Sequence, residues 1–261
     1  MNPSLSLRLI ALFVAATCTS NLGFAAITTR GSDSTIAVVK ALAEAYQKQS
    51  GVAVQVDGGG SGAGAKSAIA GEVQLAFLSR ALDQKEIDGG LVGTAYAADA
   101  VAVIVHKDNP VTNLTIAELK DFFTGTTPAW ADGKPVVLFN RNADSGTREI
   151  FQDKVLGKGV AFAASAAIKH DGVLLGAVAR LPAALAYDGF GHAGPKIVKL
   201  VAVNGVVPTA ESIRSGSYPL TRTPTLATKG APTGEVKGFI DFVHSPEGQA
   251  IVTETGLLSL K

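Results

Sequence analysis

The residues best equipped for chemistry lie in one stretch, Asn140-Arg141-Asn142-Ala143-Asp144-Ser145-Gly146-Thr147-Arg148. An apolar run over 136–139 delivers Arg141, and four residues later Ser145-Gly146-Thr147 opens a helical pattern. A guanidinium, two hydroxyls and the unsatisfied N–H groups of a helix start then share one small volume. All of these can donate hydrogen bonds, and none is a base at neutral pH. The combination suits a multivalent oxyanion and is poor equipment for covalent chemistry. The same segment also fits a plainer role, with Ser145 capping a helix and Arg141 in a surface ion pair. Two more strand–turn–helix junctions carry small polar residues: Ser34-Thr35, ahead of a helical run from Ile36, and Ser61-Gly62 inside the glycine-rich run 58–64. In open α/β sheets ligands bind beyond the carboxyl ends of strands, where helix starts converge. Three such junctions imply one site with several donor-rich edges.

Other chemistries fit less well. Gly60-x4-Ala65-Lys66-Ser67 approaches a nucleotide loop, but alanine stands where that loop needs its last glycine. A backbone cradle for a smaller anion suits the run better, and a flexible turn is the alternative. Gly59-Gly60-Ser61-Gly62 is followed by Ala63, so it is no nucleophile elbow. His106, His170, His192 and His244 are scattered without metal-ligand spacing, and Cys18 is the single cysteine. A phosphate-ester hydrolase would need a metal cluster or an activated nucleophile, and the sequence offers neither. No catalytic residue, cofactor or metal is expected.

The elements that must position these groups alternate between apolar runs and helical patterns, the signature of α/β units around a parallel or mixed sheet. Strands are expected over 27–30, 52–56, 75–78, 100–105, 136–139, 183–187, 197–203 and 225–228. Helices are expected over 36–49, 65–70, 115–123, 234–243 and 246–253. The 115–123 helix carries a capping box of Thr115 and Glu118. Arg8, the apolar run 9–18 and Gly23-Phe24-Ala25 read as a targeting signal, cleaved after Ala25 or Ala26. That apolar run is shorter than the ~20 residues of a membrane span, so a soluble exported chain is expected. Arg8 is the only charge in residues 1–26; beyond it 22 basic and 22 acidic side chains balance. No general basic field attracts nucleic acid or anionic lipid, so an anion site must be local.

Arg141-x3-Ser145-Gly146-Thr147 resembles the signature of the phosphate-binding proteins of ABC phosphate transporters. The likeness extends through Gly31-Ser32-Asp33-Ser34-Thr35, Gly60-Ser61-Gly62, the run 99–110, 119–125 with Trp130, Gly216-x-Tyr218-Pro219-Leu220 and the run 239–249. The resemblance implies an α/β periplasmic binding protein of type II. Its two lobes would be mixed, mostly parallel sheets flanked by helices, with a ligand cleft at the hinge. Lobe 1 would comprise 27–106 plus 223–261, and lobe 2 107–222. Ser34, Thr35, Ile36, Ser61, Arg80, Arg141, Ser145, Gly146 and Thr147 would contact the anion. The partners implied are inorganic phosphate or a similar oxyanion and a membrane permease, for a periplasmic monomer. Gln74 and Arg80 stand where the family often has an acid to accept a phosphate proton. Asp33 or Asp57 is expected to supply that acceptor, with Asp144 a further candidate. Sulfate and a sensor or surface-protein role are the alternatives to phosphate transport.

Overall fold

The computed structural model describes residues 26–168, 170–193 and 197–260. Apart from Ala26, the expected targeting segment lies outside them. Strand β1 (Ile27–Gly31) runs through a 3-10 turn (Asp33–Thr35) into α1 (Ile36–Ser50). Next come β2 (Val54–Asp57), α2 (Ser61–Ala70), β3 (Leu75–Leu78), α3 (Gln84–Asp88) and β4 (Leu91–Ala95). The chain continues through β5 (Asp99–Val105), β6 (Asn113–Leu114), α4 (Ile116–Thr124), β7 (Val137–Arg141) and α5 (Gly146–Phe151), which a π-helical turn extends over Gln152–Leu156. Then follow β8 (Ala166–Ile168), α6 (Asp171–Arg180), β9 (Ala184–Gly189), β10 (Lys199–Val203), α7 (Ala210–Arg214) and β11 (Thr221–Arg222). The last elements are β12 (Thr225–Lys229), α8 (Gly234–His244) and α9 (Pro246–Glu254).

Two mixed sheets result. The first has the order β2-β1-β3-β12-β4, with β1 parallel to β2 and β3, and β12 antiparallel to β3 and β4. The second has the order β6-β10-β5-β9-β7-β8, with β11 pairing β5. Helices flank both. Val39 and Leu42 of α1 and Phe239 and Val243 of α8 bury one face of the first sheet against Leu75 and Phe77. On its other face, Ala65 and Ala68 of α2 lie on Ala76 and Leu78, so small side chains bring that helix close to the strands.

All seven residues of β5 are buried, which is why a continuous apolar run specifies it. Its period-two alternation serves two cores: Val101, Val103 and Val105 join Phe123, Phe151 and Tyr187, while Ala102 and Ile104 join Leu174 and Val178. β5 is expected in lobe 1, before a boundary at 106. In the structure it pairs with β9, β10 and β11 of the second sheet. β4 carries no clear sequence signal, because it is an edge strand interrupted by Gly93 and part of it faces solvent; α3 is one short turn whose signal is the capping box of Asp83 and Glu86. Helix α2 starts at Ser61, four residues earlier than its apolar pattern: Gly60, at φ +104°, makes the turn and the run 61–64 is already helical.

Candidate functional site

The carboxyl ends of β1 and β3 face those of β7 and β9, and the loops beyond them meet at a buried seam. In α5 the Ser145 hydroxyl caps the helix, accepting from Arg148 N at 3.3 Å. Thr147, two residues on, donates its hydroxyl proton across the seam to Ser34 Oγ at 3.2 Å, and Ser34 Oγ lies 2.9 Å from Ser32 Oγ. Gly146 sits against Ser61 and Ser79: a Cβ there would lie 2.5 Å from Ser61 Oγ and 2.6 Å from Ser79 Oγ. Those two hydroxyls are 3.3 Å apart, and Ser79 N donates to Ser61 Oγ at 3.1 Å. On the same seam Gly60 leaves only enough space for a hydrogen beside the Asp144 carbonyl.

Thr35 precedes α1 at its N-cap but makes no side-chain capping bond. Its Oγ1 is fully buried and meets no hydrogen-bond geometry among the described residues, although the equally buried Tyr96 hydroxyl lies beside it. A buried hydroxyl left unmade costs about 1–3 kcal/mol, which a small turn toward Tyr96 or a bound acceptor would each recover.

Parallel pairing of β7 with β9 sets Val137 opposite Ala184 and Leu138 opposite Leu185. The same offset brings Arg141 beside Asp188. Arg141 Nη1 donates to Asp188 Oδ1 at 2.8 Å, and Nε donates to the Ile168 carbonyl at 3.2 Å. Arg141 is therefore in an ion pair, but a buried one, with both side chains 1% exposed or less. Asn140 Oδ1 accepts from Arg141 N and from the Tyr187 hydroxyl. Burial pushes the Tyr187 phenol up, which keeps it a donor.

The expected residues Ser34, Ser61, Gly146 and Thr147 converge directly, with Thr35 and Ser145 at the flanking helix starts and Ile36 opening α1. Arg80 also reaches the seam, but carboxylates take up its fork. Nη1 and Nη2 donate to Glu86 at 2.8 and 2.9 Å, and Nε donates to Glu149 of α5 at 2.5 Å. Burial works against the charged guanidinium, and the Glu86 hydrogen bonds with the two nearby negative charges more than offset it. Glu149 has one cation against that burial, so its carboxyl is pushed up. None of the three candidate acceptors bonds to the seam hydroxyls. Asp33 Oδ1 accepts from Gly59 N, Asp57 is exposed and accepts from Gln55, and Asp144 is exposed. Gln74 binds the Thr28 amide.

The sequence reading missed Ser79, Asp188, Asp99 and Arg222. Arg222 Nε and Nη2 donate to Asp99 Oδ2 at 2.8 and 2.6 Å, and its Nη1 donates to Thr147 Oγ1 at 2.5 Å. The available signal was a charge at the end of an apolar strand: Asp188 closes 184–187, and Asp99 opens 100–105.

Two α/β units meet at a seam lined with buried hydroxyls, helix starts and guanidinium groups, an arrangement of the solute-binding class. The comparisons with known proteins agree. The model of the PBP superfamily domain matches residues 17–247. The chain is 31% identical over 245 residues to the phosphate-binding protein PstS of Bacillus subtilis (strain 168), covering 89% of this chain and 80% of that one. It is 30% identical over 223 residues to PstS of Borreliella burgdorferi, covering 80% of each. Among solved structures, a putative phosphate ABC transporter substrate-binding protein from Clostridium perfringens, with bound phosphate, superimposes with a TM-score of 0.85 at 33% identity, over 90% of this chain and 100% of that one. An ABC-type phosphate transport receptor from Vibrio cholerae gives 0.79 at 28% identity, over 89% of this chain and 99% of that one. The chain belongs to the PBP superfamily and, within it, to the family of PstS phosphate-binding proteins.

Proposed function

We propose that this protein captures inorganic phosphate between its two units and delivers it to an ABC permease, without chemical change. The observation that carries the reading is the seam itself: Ser34, Ser61, Ser79, Gly146 and Thr147 meet there, and the Thr35 hydroxyl is buried without a hydrogen bond among the described residues. Arg141, held rigid by Asp188, supplies the charge and the fork geometry. Thr35, Ile36, Ser34, Ser61, Arg141, Ser145, Gly146 and Thr147 are the anion-contacting set. Arg80 acts one step back, tying Glu149 of the second unit to the first. The chain crosses between sheets over 96–98 and again over 223–224, so the lobes are 27–98 with 223–260, and 99–222. Export as a periplasmic monomer completes the reading; among the described residues no helix is long and apolar enough to cross a membrane.

A charged hydrogen bond contributes about 1.5–3 kcal/mol, so a few of them support micromolar or tighter affinity after ordering costs. Sulfate is the second reading, favoured by the exposure of Asp57 and Asp144 and by the bond from Gly59 N to Asp33. Thermal unfolding of residues 27–261, stripped of ligand, separates the two. At a hundredfold excess over Kd a ligand that binds only the folded chain adds about 2.7 kcal/mol. A shift with phosphate alone supports the first reading, and equal shifts with sulfate support the second. No shift with any oxyanion removes both.

A further inference from the structure

We propose that Arg222 is a positioning residue of the oxyanion site, orienting the Thr147 hydroxyl from the strand that links the two sheets. The inference rests on the phosphate reading and adds a residue outside the anion-contacting set.

Arg222 and Asp99 are cross-strand partners in the short pairing of β11 with β5. Both are buried, and two N–H groups of the guanidinium converge on Asp99 Oδ2. The plane of the fork is thereby fixed. Its outer nitrogen, Nη1, reaches Thr147 Oγ1 at 2.5 Å. Arginine carries only donors, so the direction of that bond is unambiguous: Thr147 accepts. The hydroxyl's own proton must then leave on another side, and Ser34 Oγ stands 3.2 Å away across the seam. An oxyanion entering between Thr147 and Ser34 receives this proton in a charge-assisted bond. Without Arg222 the hydroxyl would be free to rotate and to donate elsewhere.

The location adds a second consequence. The chain passes from the first sheet to the second just before Asp99, and returns just after Arg222. The pair therefore sits where both crossings meet, and a movement of the units about those crossings would change the reach from Arg222 to Thr147.

The test is a thermodynamic cycle on the full chain, stripped of ligand, with phosphate affinity read by calorimetry. Because removing Arg222 alone would strand a buried carboxylate, the first variant is the neutral pair D99N/R222Q. The second is Thr147→Val, and the third combines them. We expect the neutral pair and Thr147→Val each to weaken phosphate binding about tenfold, the scale of one oriented hydrogen bond. The combination should be no weaker than Thr147→Val alone, since without the hydroxyl there is nothing left to orient. A merely structural role would instead give losses that multiply, and that result overturns the proposal, as does unchanged affinity in D99N/R222Q. If the neutral pair does not fold, Arg222→Lys keeps a cation opposite Asp99 and enters the same cycle with the same criterion. The unaltered chain is measured first: if it binds no oxyanion, the phosphate reading fails and takes this inference with it. If it binds and the cycle is additive, only the role of Arg222 fails.

Discussion

Replacing Gly146 with alanine tests whether the two units close on the ligand. The added methyl would lie 2.5 Å from Ser61 Oγ, 2.6 Å from Ser79 Oγ and 3.0 Å from Ser61 Cβ. Ordinary contact is about 3.5–4 Å, so the seam must open or both hydroxyls must turn. Turning them breaks the bond from Ser79 N to Ser61 Oγ and still leaves the Ser61 Cβ contact. Overpacking by one methyl costs about 1–3 kcal/mol, equivalent to about 5- to 150-fold in Kd. The cost falls on the closed form, because the serines and Gly146 belong to different sheets. The ligand-free chain can relieve it by opening, and alanine is a better helix former than glycine by ~1 kcal/mol or less. Calorimetry with phosphate should therefore show weaker binding, while thermal unfolding without ligand stays level or rises. Unchanged affinity would mean that the units do not approach this closely over a ligand. A lower ligand-free melting temperature would mean that the seam is a fixed part of the fold, and the closure argument would be wrong.

Thr35→Val removes a buried hydroxyl that makes no hydrogen bond among the described residues, with the Tyr96 hydroxyl beside it. Denaturant unfolding of the ligand-free variant should show a gain of about 1 kcal/mol, with phosphate binding about tenfold weaker; a loss of ligand-free stability would show that the hydroxyl is structural. Glu149→Gln addresses pH. Burial raises the Glu149 carboxyl above its ordinary 4.5, so the stability it contributes is present below that value and is lost as pH rises through the raised one. Glutamine is neutral throughout, so the stability of the variant relative to the unaltered chain should increase from pH 4 to pH 7. A difference that shrinks over that range would show that the Arg80 ion pair outweighs the burial.

Much of the candidate site was legible because its parts are local. Ser145-Gly146-Thr147, Ser34-Thr35 and Ser61 each belong to one strand–turn–helix junction, and residue type with spacing specifies such junctions. The core strands were legible for a related reason: β3 and β5 are buried along their whole length, so their composition announces them. β4 was not, because an edge strand with one face in water needs little apolar sequence. The partners of Arg80 were not legible either: Glu86 lies six residues on and Glu149 sixty-nine, and only the fold brings both to its guanidinium.

The sequence by itself determined the class of fold, the donor chemistry and the three junctions that carry it. Short-range patterning encodes each of them. The tertiary structure decided the partners: Asp188 for Arg141 through parallel register, Asp99 for Arg222 through a two-residue strand pairing, and Ser61 with Ser79 for Gly146 across the seam. It also decided which sheet takes β5. Each of these depends on contacts between segments far apart in the chain, where a residue's type says what it can bond but not what it will meet.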